Sequence, residues 1–328
     1  MKICVLHFTD RGKMLAEKLE SLFEAQWIFR ERGESGPQFI ASHMGEADAF
    51  LFIGAVGIAA RMMAPFIRSK DIDPAVVVID EMGSYSIPLL SGHLGGANGL
   101  ARALALPLGA QPVITTATDL NQVFAVDVWS KKIGAVIRDI SKIKEVSSAL
   151  LRGKTVGLTS DFPICGELPG GIAIGKEYPV GIAVSMREEG EWYPSTLQVV
   201  PRLVTIGVGC RKNTPVEQFE EFLLDVLRKE NLALASVEAV ASISLKAEET
   251  CICDFCSKYQ IPYRTYAAQE LSKLEGDFSA SPFVAETVGV DNVCERSAAA
   301  RGAELLMRKR AEKGMTAALA VKKWRCEF

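Results

Sequence analysis

The chain has 328 residues, 48% hydrophobic and 23% charged, with a formal net charge of −3. That length is long for one core and predicts two or three domains, and the composition is that of a globular protein. The mildly acidic balance argues against a nucleic-acid partner, so any anion site must be local, and no uninterrupted apolar run is long enough to span a bilayer.

The opening Ile3-Cys4-Val5-Leu6 run reads as a first strand and not as an export leader, which places the chain in the cytoplasm with its eight cysteines as reduced thiols. A helix is expected from about Lys13 to Phe23, and Phe50–Ile53 is a short strand. It runs through Gly54-Ala55-Val56-Gly57 into a helix that stops near Pro65. Ala75–Ile79 is a β-branched run typical of a strand covered on both faces. Ser86–Leu90 is apolar and strand-like, and the glycine-rich segment Ser91-Gly92-His93-Leu94-Gly95-Gly96-Ala97-Asn98 then leads into a helix ending near Leu106. A strand at Val113–Thr116 and a helix at Asp119–Ser130 complete an α/β domain over 1–132, with a parallel or mixed sheet and helices on both faces.

From residue 133 to 201 glycine and proline are dense and short apolar runs lie between them, as in a small strand-rich middle domain. A second α/β domain is expected over 202–328. Its first strand, Leu203–Val208, leads into the turn Gly209-Cys210-Arg211-Lys212-Asn213. Thr214 stands as N-cap and Pro215 as first residue of a helix reaching Glu230. Later elements are a strand at Ser236–Ser244, a helix near Glu248–Tyr259, a strand at Ile261–Tyr266, a helix near Ala268–Leu274, a helix near Asn292–Lys313 and a strand at Ala317–Val321. Arg308-Lys309-Arg310 reads as a solvated helix face.

Three glycine-bearing turns follow strands: the one at Gly54 and Gly57 with Arg61, the one from Ser91 to Asn98, and the one at Gly207 and Gly209 with Arg211 and Lys212. Glycine lets a backbone approach a ligand closely, and a helix N-terminus favours anionic groups. None of the turns carries the Gly-Lys-Ser/Thr of a phosphate loop or a clear dinucleotide fingerprint. Tight helix packing explains any one turn as well; all three, two of them beside Arg or Lys, point to a polyanionic ligand. His93 supplies a proton carrier near neutral pH, with Asp80 or Glu81 as residues that orient it. Glu286 and Glu295 each stand beside apolar residues, where burial raises a carboxyl pKa, although a salt-bridging role is the commoner one. Cys251, Cys253 and Cys256 form C-x-C-x-x-C, but on a helix residues two apart face differently, so they read as small buried residues and no metal site is assigned.

Phe52-Ile53-Gly54-Ala55-Val56-Gly57-Ile58-Ala59-Ala60-Arg61, Leu89-Leu90-Ser91-Gly92-His93-Leu94-Gly95-Gly96-Ala97-Asn98, and Gly207-Val208-Gly209-Cys210-Arg211-Lys212 with the later Val293–Ala298 block resemble the cobalt-precorrin-5A hydrolases of anaerobic cobalamin biosynthesis. The resemblance covers nearly the whole chain and is weakest in the middle. It implies a hydrolase acting on a carbon–carbon bond. Water opens the ring A δ-lactone of a cobalt corrinoid, and the carbon linking rings A and D leaves with its methyl as acetaldehyde. Cobalt arrives inside the substrate, so no separate cofactor is implied. Arg61, Arg211, Lys212 and the amides around Gly54, Gly57, Ser91, Gly92, Gly95, Gly96 and Gly209 would bind the substrate carboxylates. His93 would activate water, the N–H groups of Gly95 and Gly96 or the Asn98 amide would hold the oxyanion, and Glu286 or Glu295 would donate a proton. A non-catalytic corrinoid carrier or scaffold and a methyltransferase of the same pathway are the competing readings. A homodimer is compatible with the sequence.

Overall fold

The computed structural model describes the chain except Arg32, Lys70, Asp71, Leu94, Gln122 and residues 280–290. The described residues form two compact units, Met1–Val128 and Trp129–Phe328.

The first unit alternates strands and helices as its hydrophobic pattern dictates. Its elements are β1 (Lys2–His7), α1 (Asp10–Leu22), β2 (Gln26–Phe29), α2 (Gly36–His43), β3 (Ala49–Ile53), α3 (Val56–Met63), β4 (Ala75–Ile79), β5 (Tyr85–Leu90), α4 (Ala97–Leu108), β6 (Gln111–Pro112), α5 (Ala117–Leu120) and the start of α6 (Val126–Lys132). The strands form one sheet in the order β2-β1-β3-β4-β5-β6. Successive side chains on a strand face opposite ways. Ile3, Val5, Leu51, Ile53, Val77 and Ile79 therefore build one core with residues of α1 and α4. Cys4, Leu6, Phe50, Phe52, Val76 and Val78 build the other with residues of α2 and α3.

The parallel pattern breaks at β5, and β6 follows it in the reversed direction. β2, β1, β3 and β4 run parallel, whereas β5 pairs antiparallel with β4. Gly54 and Glu81 follow β3 and β4 at the carboxyl edge of those strands. The segment after β5 returns to the opposite edge, where the space beside Gly95 is bounded by the carbonyl of Asp73, just ahead of β4. The first two glycine turns thus lie at opposite ends of one sheet.

The second unit holds a mostly parallel sheet, β10-β8-β11-β12-β7, built from β7 (Ala135–Ile137), β8 (Val156–Ser160), β10 (Ile172–Ile174), β11 (Val180–Val184) and β12 (Ser195–Pro201), with α7 (Ser141–Leu151) packed on it and β7 antiparallel at its edge. β9 (Ile164–Cys165) leaves this sheet to pair with the chain's last strand, β18 (Cys326–Glu327). A further sheet, β15-β14-β13-β17-β16, contains β13 (Val204–Cys210), β14 (Val237–Ile243), β15 (Tyr263–Tyr266), β16 (Glu304–Glu312) and β17 (Met315–Val321). Helices α8 (Val216–Lys229) and α9 (Thr250–Tyr259) pack against it through Phe219, Phe222, Leu223 and Phe255, joined by α10 (Ala268–Ser272) and α11 (Val293–Ala299).

The α/β class read from the sequence holds, with four local corrections. Residues 113–116 are not a strand; β6 ends at Pro112. The helix expected over Asp119–Ser130 is two short helices, α5 and α6. Thr214 is not an N-cap: its hydroxyl donates to the Arg211 carbonyl at 2.8 Å, and Pro215 occupies the cap. The helix expected from Asn292 to Lys313 stops at Ala299 and is followed by Gly302 in the left-handed region; Glu304–Glu312 is strand β16, with Arg308-Lys309-Arg310 on it. Its helix-forming residues are overruled by pairing with β17 across Lys313-Gly314, both at positive φ, a backbone twist that suits a tight hairpin.

Candidate active site

The segment after β5 is folded onto itself by backbone bonds. The Gly96 N–H donates to the His93 carbonyl at 2.9 Å, Ala97 N–H to Ser91 at 3.1 Å, and Asn98 N–H to Gly92 at 2.9 Å. Two glycines are needed for close approach: a Cβ on Gly95 would lie 2.3 Å from Ser91 Cβ, and one on Gly92 2.7 Å from Asn98 Oδ1. Ser91 and Gly96 both sit at positive φ, 56° and 84°. Gly96 caps α4, with no side-chain oxygen serving the helix end.

This collapse places His93 among acidic side chains from the segment that follows β6. Its Nε2 lies 2.8 Å from Asp119 Oδ2 and 3.0 Å from Thr118 Oγ1, and its Nδ1 lies 3.4 Å from Asp127 Oδ2. Asp119 is gripped from behind by Arg102 Nη2 at 2.7 Å and by Asn98 Nδ2 at 2.9 Å; Asn98 Nδ2 also donates to Thr116 Oγ1 at 3.0 Å. Asn98 is buried, and the Asp127 side chain is only 7% exposed against 19% for His93.

The electrostatics follow from this packing. The His93 pKa is raised, first by Asp127, the more buried carboxylate although its contact is the longer; burial of the ring opposes this, and Asp119 adds to it. Burial pushes the Asp119 and Asp127 carboxyls up, yet their bonded partners outweigh it and both lie below the ordinary range: Arg102 and His93 for Asp119, His93 and the Val128 N–H for Asp127. Below its raised pKa the ring is an imidazolium clamped between two carboxylates. Above it, one nitrogen is a free base in a half-buried setting.

Several expected partners are elsewhere. Glu81 does not orient His93; it accepts a hydrogen bond from Thr9 Oγ1 at 2.8 Å at the other edge of the sheet, because β5 carries the histidine away from the end of β4. Asp80 accepts from the backbone of Met82, Ser84 and Tyr85 within the β4–β5 turn. The Gly96 N–H is already donated within the turn, and the Asn98 amide donates to Thr116 and Asp119, so neither is offered to an oxyanion in this geometry. Gly54 (φ 152°) precedes α3, Gly57 lies in its first turn and Arg61 in its last, where exposed Arg61 bonds back to the Gly57 carbonyl at 3.3 Å.

Glu295 is fully buried on α11, and its carboxylate accepts from Ser279 N at 2.8 Å, Ser279 Oγ at 2.8 Å and Lys309 N at 2.7 Å. Burial raises its pKa, but these donors prevail and hold it low, and its carboxylate ties β16 and the Ser279 segment to α11. Glu286 lies outside the described residues. The third expected turn begins later than its glycines, since β13 runs through Cys210; a Cβ on Gly207 within that strand would fall 1.8 Å from the Cys294 carbonyl oxygen, so this glycine admits α11 against β13. Gly209 faces Thr316, while Arg211 and Lys212 are exposed; among the described residues neither has an ion-pair partner.

The cysteines of C-x-C-x-x-C do not converge. Cys251 and Cys256 are buried, and Cys253 donates to the Ala247 carbonyl. Cys251 instead meets Cys210, with sulfurs 3.7 Å apart, and Glu249 lies within 4.8 Å of both. Sequence reasoning missed Thr118, Asp119 and Asp127. The available signal was the hydroxyl- and carboxylate-bearing stretch Thr116-Ala117-Thr118-Asp119, between a strand read to end at Thr116 and a helix read to begin at Asp119.

Family models match all three parts of the chain: cobalamin synthesis G N-terminal over residues 38–119, cobalamin biosynthesis central region over 124–201, and cobalamin synthesis G C-terminus over 204–320. A cobalt-precorrin-5A hydrolase of Salmonella typhimurium is 38% identical over 288 residues, spanning 83% of this chain and 82% of that protein. One from Priestia megaterium is 28% identical, spanning 82% and 81%. The solved structure of a cobalamin biosynthesis protein G homolog from Sulfolobus solfataricus is similar over 98% of this chain and 97% of its own, at 24% identity and a TM-score of 0.43. Among the described residues no helix is long and apolar enough to cross a membrane. With its three parts matched in order and a relative at this identity, the chain belongs to the cobalamin synthesis G family.

Proposed function

We propose that the chain is a cobalt-precorrin-5A hydrolase: it opens the ring A δ-lactone of its cobalt corrinoid substrate with water and releases acetaldehyde, giving cobalt-precorrin-5B. The observation that carries this reading is the 38% identity to a hydrolase of that name across most of both chains. In this reading the protein has no resident cofactor, since cobalt enters as part of the substrate, and it acts in the cytoplasm without nucleic acid. The segments 1–132, 133–201 and 202–328 are its three domains in this reading. Support comes from a separate sheet in each and a separate family match to each.

Within this reading His93 is the base. Asp127 stays at Nδ1 and fixes the ring, while at Nε2 a water takes the place now shared by Asp119 and Thr118. The neutral imidazole accepts the water proton as oxygen attacks the lactone carbonyl, and the resulting imidazolium is stabilised by the two carboxylates already beside it. Arg102 and Asn98 keep Asp119 ionised beside that water as a positioning residue. The Gly95 N–H stays a candidate oxyanion donor, and Arg61, Arg211 and Lys212 are of the type that binds substrate carboxylates.

The test is anaerobic incubation of the purified chain with cobalt-precorrin-5A, measuring acetaldehyde. Stoichiometric release supports the reading; tight binding without acetaldehyde assigns the chain to the carrier class instead.

A further inference from the structure

We propose that a cationic, aromatic pocket in the second unit, distinct from the His93 cluster, is a binding site for a flat polycarboxylate of the corrinoid class. The inference rests on the corrinoid reading above. The cavity measures about 1060 Å³ and lies between the Phe162–Cys165 segment and the chain's last residues, with Lys132 and Ile133 at its side. That volume is at the top of the range of small-molecule sites and suits a macrocycle better than a mononucleotide.

Its walls are built in advance. β18 pairs with β9 through Cys326 N to the Pro163 carbonyl at 2.8 Å and Phe328 N to the Cys165 carbonyl at 3.1 Å. Trp129 stacks on Phe328, ring centroids 4.7 Å apart and planes 13° from parallel, and its indole N–H donates to the Glu327 carbonyl at 2.8 Å. Trp324 meets Phe162 edge-on at 5.0 Å. Of these rings Phe162, Trp324 and Phe328 line the cavity. They offer apolar surface to the face of a large ring system at little cost in side-chain ordering.

The charges are of one dominant sign. Lys132, Lys322, Lys323 and Arg325 line the cavity against one acidic side chain, Glu327. Lys322 is held by Glu238 at 2.7 Å and belongs to the wall. Lys323 pairs with Glu304 at 2.8 Å, but both side chains are well exposed, so the pair is weak and yields to a better anion. Among the described residues Lys132 and Arg325 have no ion-pair partner. Cations around aromatic rings match a ligand that carries carboxylates on its rim and apolar faces between them. The pocket has no glycine-rich phosphate loop, which argues against a nucleotide.

The experiment measures binding of cobyrinic acid, a stable cobalt corrinoid polycarboxylate, to the full chain by equilibrium dialysis, with acetaldehyde release assayed on the same preparations. Lys132→Glu with Arg325→Glu reverses two exposed charges without touching the core, and should weaken binding at least roughly tenfold. Trp324→Ala should weaken it comparably, and Arg152→Glu, a matched reversal outside the pocket, should leave it unchanged. Wild-type affinity in the Lys132/Arg325 variant overturns the inference, as does failure of cobyrinic acid to bind a wild-type chain that releases acetaldehyde. Binding of ATP that these variants abolish, with cobyrinic acid unaffected, overturns the corrinoid class. A wild-type chain that neither binds cobyrinic acid nor releases acetaldehyde removes the underlying reading and the inference with it.

Discussion

The turn after β5 and the turn after β13 look alike in sequence, each a glycine-rich link leaving a strand beside a titratable or basic residue, yet they use their glycines for opposite ends. In the first, Gly92 and Gly95 let the loop collapse on Ser91 and Asn98, and the collapse holds His93 between Asp119 and Asp127. In the second, Gly207 still belongs to β13 and makes room there for the backbone of α11, while the basic residues beyond the strand, Arg211 and Lys212, stay in solvent. The difference teaches that a glycine in such a turn marks a close approach without saying what approaches. One glycine cluster brings titratable side chains together, and the other glycine seals a helix to a sheet.

The comparison breaks most visibly at His93. His93→Ala should lower the turnover number for acetaldehyde release by about 10² to 10⁴-fold, the usual worth of a general base, with substrate binding retained. Near-normal turnover would put His93 in a holding role only. Gly207→Ala tests the other turn through stability. Because its methyl would meet backbone and not a yielding side chain, a loss of about 3 kcal/mol is expected, read as a lowered thermal midpoint of the second unit. An unchanged midpoint would mean that α11 is not sealed there.

A smaller effect separates the turns by pH. His93 has a raised pKa from Asp127, against burial, with help from Asp119. The stability this contributes is therefore full below the ordinary histidine value of about 6.5 and is lost as pH rises through the raised one. Asp119 and Asp127 are lowered by their bonded partners despite burial, so their contribution is present above the ordinary aspartate value and fades as pH falls through the lowered ones. The first unit's melting temperature should thus fall on both the alkaline and the acid side, and His93→Gln should flatten the alkaline decline. The smallest effect belongs to Arg211→Ala with Lys212→Ala. Exposed charges contribute little each, so substrate affinity should weaken only severalfold, by about 1 kcal/mol, with the turnover number unchanged; a loss in turnover instead would move the third turn into the chemistry.

How much of this was legible in the sequence depended on range. The apolar run of β3, the β-branched run of β4 and their alternation with helices predicted the first sheet, because each strand is buried on both faces by neighbours close in sequence. β16 was read as helix because Glu304–Glu312 is rich in helix formers; its exposure alternates with the two-residue period of a strand only because β17 folds back against it. His93 stood out through its glycines. Its partners did not, since Asp119 and Asp127 reach it only after β6 and the break between α5 and α6. Glu81, nearer in sequence, was a poor substitute because one antiparallel strand separates the two ends of the sheet. Glu295 shows the same limit: apolar sequence neighbours predicted a raised pKa, whereas three donors from other segments lower it.

The most direct test of a base poised by Asp127 is the pH dependence of acetaldehyde release at saturating substrate, compared between the wild-type chain and Asp127→Asn. The account predicts a wild-type rate that rises with pH along a limb centred above the ordinary histidine value, and a limb displaced to lower pH in Asp127→Asn, where the main cause of the raised pKa is gone. A limb at the same pH in both proteins would contradict it.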